Sequence, residues 1–149
     1  MKARGGFTLV ELMVALVVAG TLAAVAYPGY QLHVLRARRT EAQVALQALM
    51  QQQERYFTQH NRYAAFGAEA GGADAQLFRW WSGATPAGSA YEIVGRACDG
   101  EDIADCLELV AMPGTDRVDN RHRDPLCDRL ILTSNGRRLS TGPAARCWR

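Results

Sequence analysis

The sequence predicts an α+β fold in which one long N-terminal α-helix packs on a C-terminal antiparallel sheet of about four strands. Three observations lead there. An apolar stretch carrying a single carboxylate opens the 149-residue chain. An amphipathic pattern with helical spacing continues it, with no turn signal between the two. Four short strand-like runs, separated by stretches rich in Asp, Asn and Gly, then occupy residues 91–140.

Met1-Lys2-Ala3-Arg4 is a short basic leader of the kind that stays cytoplasmic. From Phe7 to Leu35 the one formally charged side chain is Glu11, and Leu12 to Leu35 supplies 24 residues without a formal charge. Roughly 20 apolar residues cross a bilayer core, so residues 7–35 are expected to form a membrane span. A carboxylate held at the bilayer centre costs about 2.5–3.5 kcal/mol. A helix that keeps Glu11 is therefore expected to leave the lipid and meet a partner charge elsewhere. Flanking charges do not fix the orientation, because Arg36, Arg38 and Arg39 follow the span. The four cysteines help, since all lie beyond it, at 98, 106, 127 and 147. An even set in a loop-rich domain reads as disulfides formed in an oxidising compartment, which places the C-terminal part outside the cytoplasm.

Beyond Arg39 the apolar residues Ala42, Leu46, Leu49, Tyr56 and Phe57 recur mostly three or four apart, with Gln51, Gln52, Gln53 and Glu54 between. That spacing marks one buried stripe on residues 36–60. A single helix from Phe7 to Thr58 would be roughly 75–80 Å long. Pro28, followed by Gly29, is expected to bend or locally open it, because proline lacks the N–H donor. His60-Asn61-Arg62-Tyr63 ends the helix. Residues 61–89 read as a connecting loop over the sheet, in which Trp80-Trp81 serve either as a covering plug or as a binding platform.

Residues 90–149 carry the sheet. Its expected strands are Tyr91–Ala97, Cys106–Met112, Arg129–Thr133 and a short Arg137–Ser140. Asn135-Gly136 favours a tight type I′ hairpin, which needs positive φ at both central positions. Four cysteines allow three connectivities. Cys98 with Cys106 would close a hairpin mouth, leaving Cys127 with Cys147 to tie back the tail. A loop of that second length is worth roughly 3 kcal/mol by chain entropy. Metal binding is the competing use, but no pair has Cys-x-x-Cys spacing and no histidine stands suitably near.

Gly6-Phe7-Thr8-Leu9-Val10-Glu11, the apolar helix after it and Pro28 resemble a type IV pilin precursor. The resemblance implies cleavage by a prepilin peptidase between Gly6 and Phe7, and methylation of the new terminus at Phe7. Glu11 then becomes the fifth mature residue and pairs with the Phe7 amine of a neighbouring subunit, an arrangement suited to fixing register. Cys127-Asp128-Arg129-Leu130-Ile131-Leu132-Thr133-Ser134-Asn135-Gly136, closing at Cys147-Trp148, is similar to minor pilins of the PilE and ComP type. Some of that group bind DNA through the hairpin loop and the disulfide-bounded region. A secretory signal peptide is the rival reading, with Ala24-Val25-Ala26 as its cleavage site, but it leaves Glu11 without a role.

Without residues 1–6 the formal charge is zero, yet its distribution is uneven: residues 64–110 hold two arginines against eight acids, and 111–149 eight arginines against four. Arg117, Arg121, His122, Arg123, Arg137, Arg138 and Arg146 are candidate phosphate contacts. Asp116, Asp119, Asp124 and Asp128 are interleaved and mute that field; ordinary solvated surface is the alternative. The acidic stretch Asp99–Asp105 offers oxygens to calcium or is a solvated tip. His33, His60 and His122 are scattered and no Gly-rich phosphate loop is present, so the sequence proposes no enzyme, metal or cofactor.

Together these features predict a minor pilin that waits in the bacterial inner membrane, C-terminal domain in the periplasm, and then enters an extracellular type IV pilus. Expected partners are other pilin subunits, the prepilin peptidase, the inner-membrane assembly machinery and the membrane itself. Pilus assembly, adhesion and twitching motility are the implied roles. A DNA-binding receptor pilin for uptake and a pseudopilin of a type II secretion system are the alternatives.

Overall fold

In the computed structural model, which describes residues 8–148, helix α1 runs Leu9–His60. Gly6 and Phe7, the expected processing site, lie outside the described residues. The helix opens on a capping arrangement. Thr8 precedes its first turn, and its hydroxyl accepts the Glu11 backbone N–H at 3.3 Å, while its carbonyl accepts the Leu12 N–H at 3.2 Å. Thr-x-x-Glu is the capping-box pattern, and an acid in the first turn also suits the helix dipole.

Two compact units divide the chain, Met1–Ala37 and Arg38–Arg149. Within the first, an 18-residue window reaches a mean hydropathy of 2.4 with no part of it buried. Leu9, Val10, Leu12, Met13, Val14, Leu16 and Val17 are all exposed. That is the composition of a segment made for a lipid or protein environment other than water.

The second unit holds the rest of α1, a 3₁₀ turn at Ala75–Leu77, and strands β1 (Tyr91–Ala97), β2 (Leu107–Pro113), β3 (Leu130–Thr133) and β4 (Arg138–Ser140). The strands form one antiparallel sheet in the order β1-β2-β3-β4. Strand alternation puts Tyr91, Ile93, Leu107, Leu109, Ala111, Leu130 and Leu132 on one face, and all are buried. They share a single core with Ala42, Ala45, Leu46, Leu49 and Tyr56, which recur at helical spacing on α1. Two helix glutamines are buried as well. Gln53 donates to the Ala64 carbonyl at 2.8 Å and accepts the Ala64 N–H at 3.0 Å, so the chain leaving α1 is clamped in place of a backbone partner. Gln43 donates to the Cys147 carbonyl at 2.6 Å and fixes the tail in the same way.

The loop over residues 61–89 covers the free edge of β1. Phe66 and Gly95 exchange backbone hydrogen bonds of 3.0 and 2.9 Å, Ile93 donates to the Trp80 carbonyl at 2.7 Å, and Ser82 donates to Tyr91 at 3.1 Å. An edge strand left open is a template for unwanted pairing, and this loop removes it. Gly95 is required for the approach, since a Cβ there would lie 2.3 Å from the Phe66 ring. Trp80 is half-buried against the core, in the covering role. At the opposite edge, the Trp148 indole N–H donates to the Leu139 carbonyl at 2.7 Å.

The β3–β4 connection differs from the type I′ turn expected from Asn135-Gly136. Gly136 is left-handed at φ 83°, but Asn135 is not. Gly136 N–H donates to the Thr133 carbonyl at 2.9 Å and Thr133 N–H to the Arg137 carbonyl at 3.1 Å, which makes a three-residue loop with a single glycine bulge. The cause lies on β2. Ser134 N–H donates to the Leu107 carbonyl at 2.8 Å and its hydroxyl accepts the Leu107 N–H at 3.2 Å, so Ser134 is held where a two-residue turn would need it to pair with Arg137.

Disulfides join Cys98 to Cys106 across the mouth of the β1–β2 hairpin and Cys127 to Cys147 across the tail. In the acidic tip between Cys98 and Cys106, the Asp102 carboxylate accepts the Ala104 N–H at 2.8 Å, the local bond that aspartate makes in turns.

Candidate nucleic-acid interface

The arginines proposed from sequence divide into two sets. Arg117 is occupied: it bonds Glu92 at 3.3 Å and also Glu69, tying the 61–89 loop to β1. Glu92 is 2% exposed, so moving Arg117 to a phosphate would strand a buried carboxylate. Arg123 is occupied too, donating to the carbonyls of Asn120 (2.6 Å), His122 (2.8 Å) and Gly114 (3.3 Å). Arg121, Arg137 and Arg146 are exposed and make no side-chain ion pair among the described residues. Arg138 is exposed and lies over the Trp148 ring, 5.9 Å from its centroid. Arg129, at the start of an expected strand and outside the set of candidate contacts, is exposed in the same way. Its signal was its position: with Arg137, Arg138 and Arg146 it falls between Cys127 and Cys147.

The interleaved aspartates have their own structural partners. Asp124 is fully buried and receives a two-pronged bond from Arg39, Nε to Oδ2 at 2.8 Å and a terminal nitrogen to Oδ1 at 2.7 Å. The Tyr91 hydroxyl adds 2.7 Å to Oδ2 and Cys127 N–H 3.2 Å to Oδ1. Burial alone would push its carboxyl pKa up; the Arg39, Tyr91 and Cys127 donors outweigh this and hold it below the usual carboxylate range. Tyr91 is pushed up by burial and by its bond to Asp124. Asp119 accepts Arg38 at 2.7 Å and is lowered by that bond and by the Arg121 N–H. His122 is buried against Tyr91, ring centroids 5.1 Å apart, and its pKa falls through burial and the nearby Arg38. The Arg38–Asp119 and Arg39–Asp124 pairs hold the segment that follows β2 onto α1, leaving Arg121 at its surface.

Next to the three-residue turn, Asp99, Glu101, Asn135 and Arg137 line one small cleft of about 190 Å³. Negative charge from the β1–β2 tip therefore stands on one side of the turn.

Glu11 belongs to the other unit. Its carboxylate is exposed at the third position of α1, one residue after Val10 and inside the apolar stretch.

Comparison with known proteins covers both units. Residues 28–130 match the family described as type IV minor pilin ComP, DNA uptake sequence receptor, and residues 1–27 match the prokaryotic N-terminal methylation motif. The first match stops before Arg137, Arg138 and Arg146. The type IV major pilin protein PilA of Myxococcus xanthus is 39% identical over 66 residues, which are 44% of this chain and 30% of that one. The type IV major pilin protein PilE1 of Neisseria gonorrhoeae is 37% identical over 66 residues, covering 44% and 40%. The chain thus spans less than half the length of the curated relatives it matches. A type IV pilin structure from Shewanella oneidensis aligns over 77% of this chain and 98% of that one, at 26% identity and a TM-score of 0.50. The Neisseria meningitidis non-core minor pilin PilV shares the fold, with a TM-score of 0.52 at 17% identity over 77% and 94% of the two chains.

Proposed function

The chain belongs to the type IV minor pilin family ComP, and on that footing we propose that it is a pilus subunit that also holds duplex DNA on its disulfide-bounded region. The observation that carries the DNA reading is the set of exposed arginines, Arg121, Arg129, Arg137 and Arg146, which make no ion pair among the described residues while Arg38, Arg39 and Arg117 are consumed within the fold. Side chains without internal partners are the ones that can neutralise phosphates at no cost to folding. The family match supports a pilus rather than a secretion-system pseudopilin as the setting.

In this reading residues 7–35 first sit in the inner membrane with the sheet unit in the periplasm, where Cys98–Cys106 and Cys127–Cys147 form. The prepilin peptidase removes residues 1–6 and Phe7 is methylated. Inner-membrane assembly machinery then draws the subunit into the filament, where Glu11 faces the Phe7 amine of its neighbour. Adhesion and twitching motility are properties of the assembled fibre.

The DNA reading is tested by gel retardation of a labelled duplex with the detergent-solubilised chain across a salt series. Four phosphate contacts give a slope of about −3.6 in log K against log salt, roughly a hundredfold loss from 50 to 200 mM. No retardation at the lowest salt would remove DNA binding and leave the pilus role standing.

A further inference from the structure

We propose that Asn135, at the tip of the β3–β4 turn, reads guanine in the major groove of the bound duplex through its side-chain N–H groups. This rests on the DNA-binding reading above and adds to it a residue that selects sequence rather than one that holds phosphate.

Asn135 is exposed at the end of the sheet, and its amide is already half committed. Its Oδ1 accepts the Thr133 hydroxyl and the Arg137 backbone N–H, the latter at 3.4 Å. The Thr133 hydroxyl accepts the Arg137 N–H at 3.0 Å and turns its own proton toward Oδ1, which orients the group: oxygen inward, both N–H donors outward. A carbonyl oxygen has two lone pairs, and both are used. What remains for a ligand is a pair of donors on one nitrogen.

That excludes the usual pairing of asparagine with adenine, which needs the oxygen to accept from N6. Guanine presents two adjacent acceptors, O6 and N7, on its major-groove edge, and suits a donor-only group. The turn is also prearranged. Ser134 is pinned to Leu107 through backbone and hydroxyl, and Thr133 is bonded across to Arg137, so little ordering is left to occur on binding. Gly136 has open space where a Cβ would stand, which leaves the tip narrow. Asp99 and Glu101 line the same cleft as Asn135 and repel phosphate there, so the turn meets a base edge rather than the backbone on that side.

The test is selection of binding duplexes from a randomised library by the full chain in detergent, followed by titration of the selected and a scrambled duplex. The wild type is expected to enrich a motif with an invariant guanine. Asn135→Ala should bind the selected duplex about five- to a hundredfold more weakly, the worth of one bidentate base contact, with the scrambled duplex and the salt slope unchanged. Asn135→Asp keeps the oxygen that closes the turn, so loss of discrimination in that variant is not loss of the fold. Arg137→Ala should instead weaken both duplexes alike and reduce the slope by about one. Enrichment of no motif by the wild type, or the same motif by Asn135→Ala, would overturn this inference while DNA binding stood. No binding of any duplex at low salt would take both.

Discussion

Asp124→Asn is expected to lower the stability of the sheet unit by about 3–5 kcal/mol, the cost of breaking one side of a buried ion pair. Arg39 would keep its charge with its buried counter-ion gone, its side chain 12% exposed. The Tyr91 hydroxyl and Cys127 N–H would face a weaker acceptor. In a unit of this size the loss corresponds to a fall in Tm of roughly 10–20 °C, read by thermal denaturation of the detergent-solubilised chain. A change under about 1 kcal/mol would mean that water reaches Arg39 and that the clamp is peripheral. The same clamp sets an acid limit. Because the folded Asp124 carboxyl titrates below its unfolded value near 3.9, its contribution is complete above that pH and is lost as pH falls through the folded value. His122 acts earlier and through proton uptake by the unfolded chain. Its folded pKa lies below the ordinary value of about 6.5, so stability begins to decline as pH drops under 6.5. Arg38 and Arg123 disfavour its charged form, while Asp119 and Asp124 oppose them. His122→Gln should remove the first step of the decline and leave the second.

Glu11→Ala is expected to leave processing intact and to cut incorporation into pili at least tenfold. The carboxylate sits in an apolar stretch where it is costly unless paired, and a subunit slipped by one turn would leave both its charge and its neighbour's amine without a partner. The helix start suggests a second role, since Glu11 occupies the glutamate position of a capping box opened by Thr8. Glutamine serves that position equally well but carries no charge. Glu11→Gln therefore separates the two: filament assembly restored by glutamine would assign Glu11 to the cap, and assembly still lost would assign it to the inter-subunit pair.

The α+β architecture was legible because its signals are periodic. Ala42, Leu46, Leu49 and Tyr56 repeat at helical spacing, so the buried face of α1 follows from the pattern itself, and the strands stand out as short apolar runs between turn residues. What stayed hidden depends on residues far apart in the chain. Arg39 and Asp124 are separated by 85 positions, and from sequence Asp124 was one of four acids opposing a basic surface rather than a buried counter-ion. Arg117 and Arg123 looked like their exposed neighbours until Glu69, Glu92 and three carbonyls were found to hold them. Gln53 stands in sequence among the polar residues between apolar positions, and a buried glutamine such as Gln53 or Gln43 is announced by its partner, the Ala64 or Cys147 backbone, and not by its own spacing. The β3–β4 turn failed for the same reason: Asn-Gly expresses a local preference, and the Ser134 bonds to Leu107 overrode it.

A pilus subunit of this kind is trimmed ahead of Phe7 and built into a fibre. Mass spectrometry of fibres sheared from cells and purified tests it most directly. The expected result is a peptide from this chain in the fibre fraction whose first residue is N-methylated Phe7. Absence of the chain from fibres, together with a soluble periplasmic form beginning at Tyr27, would contradict it.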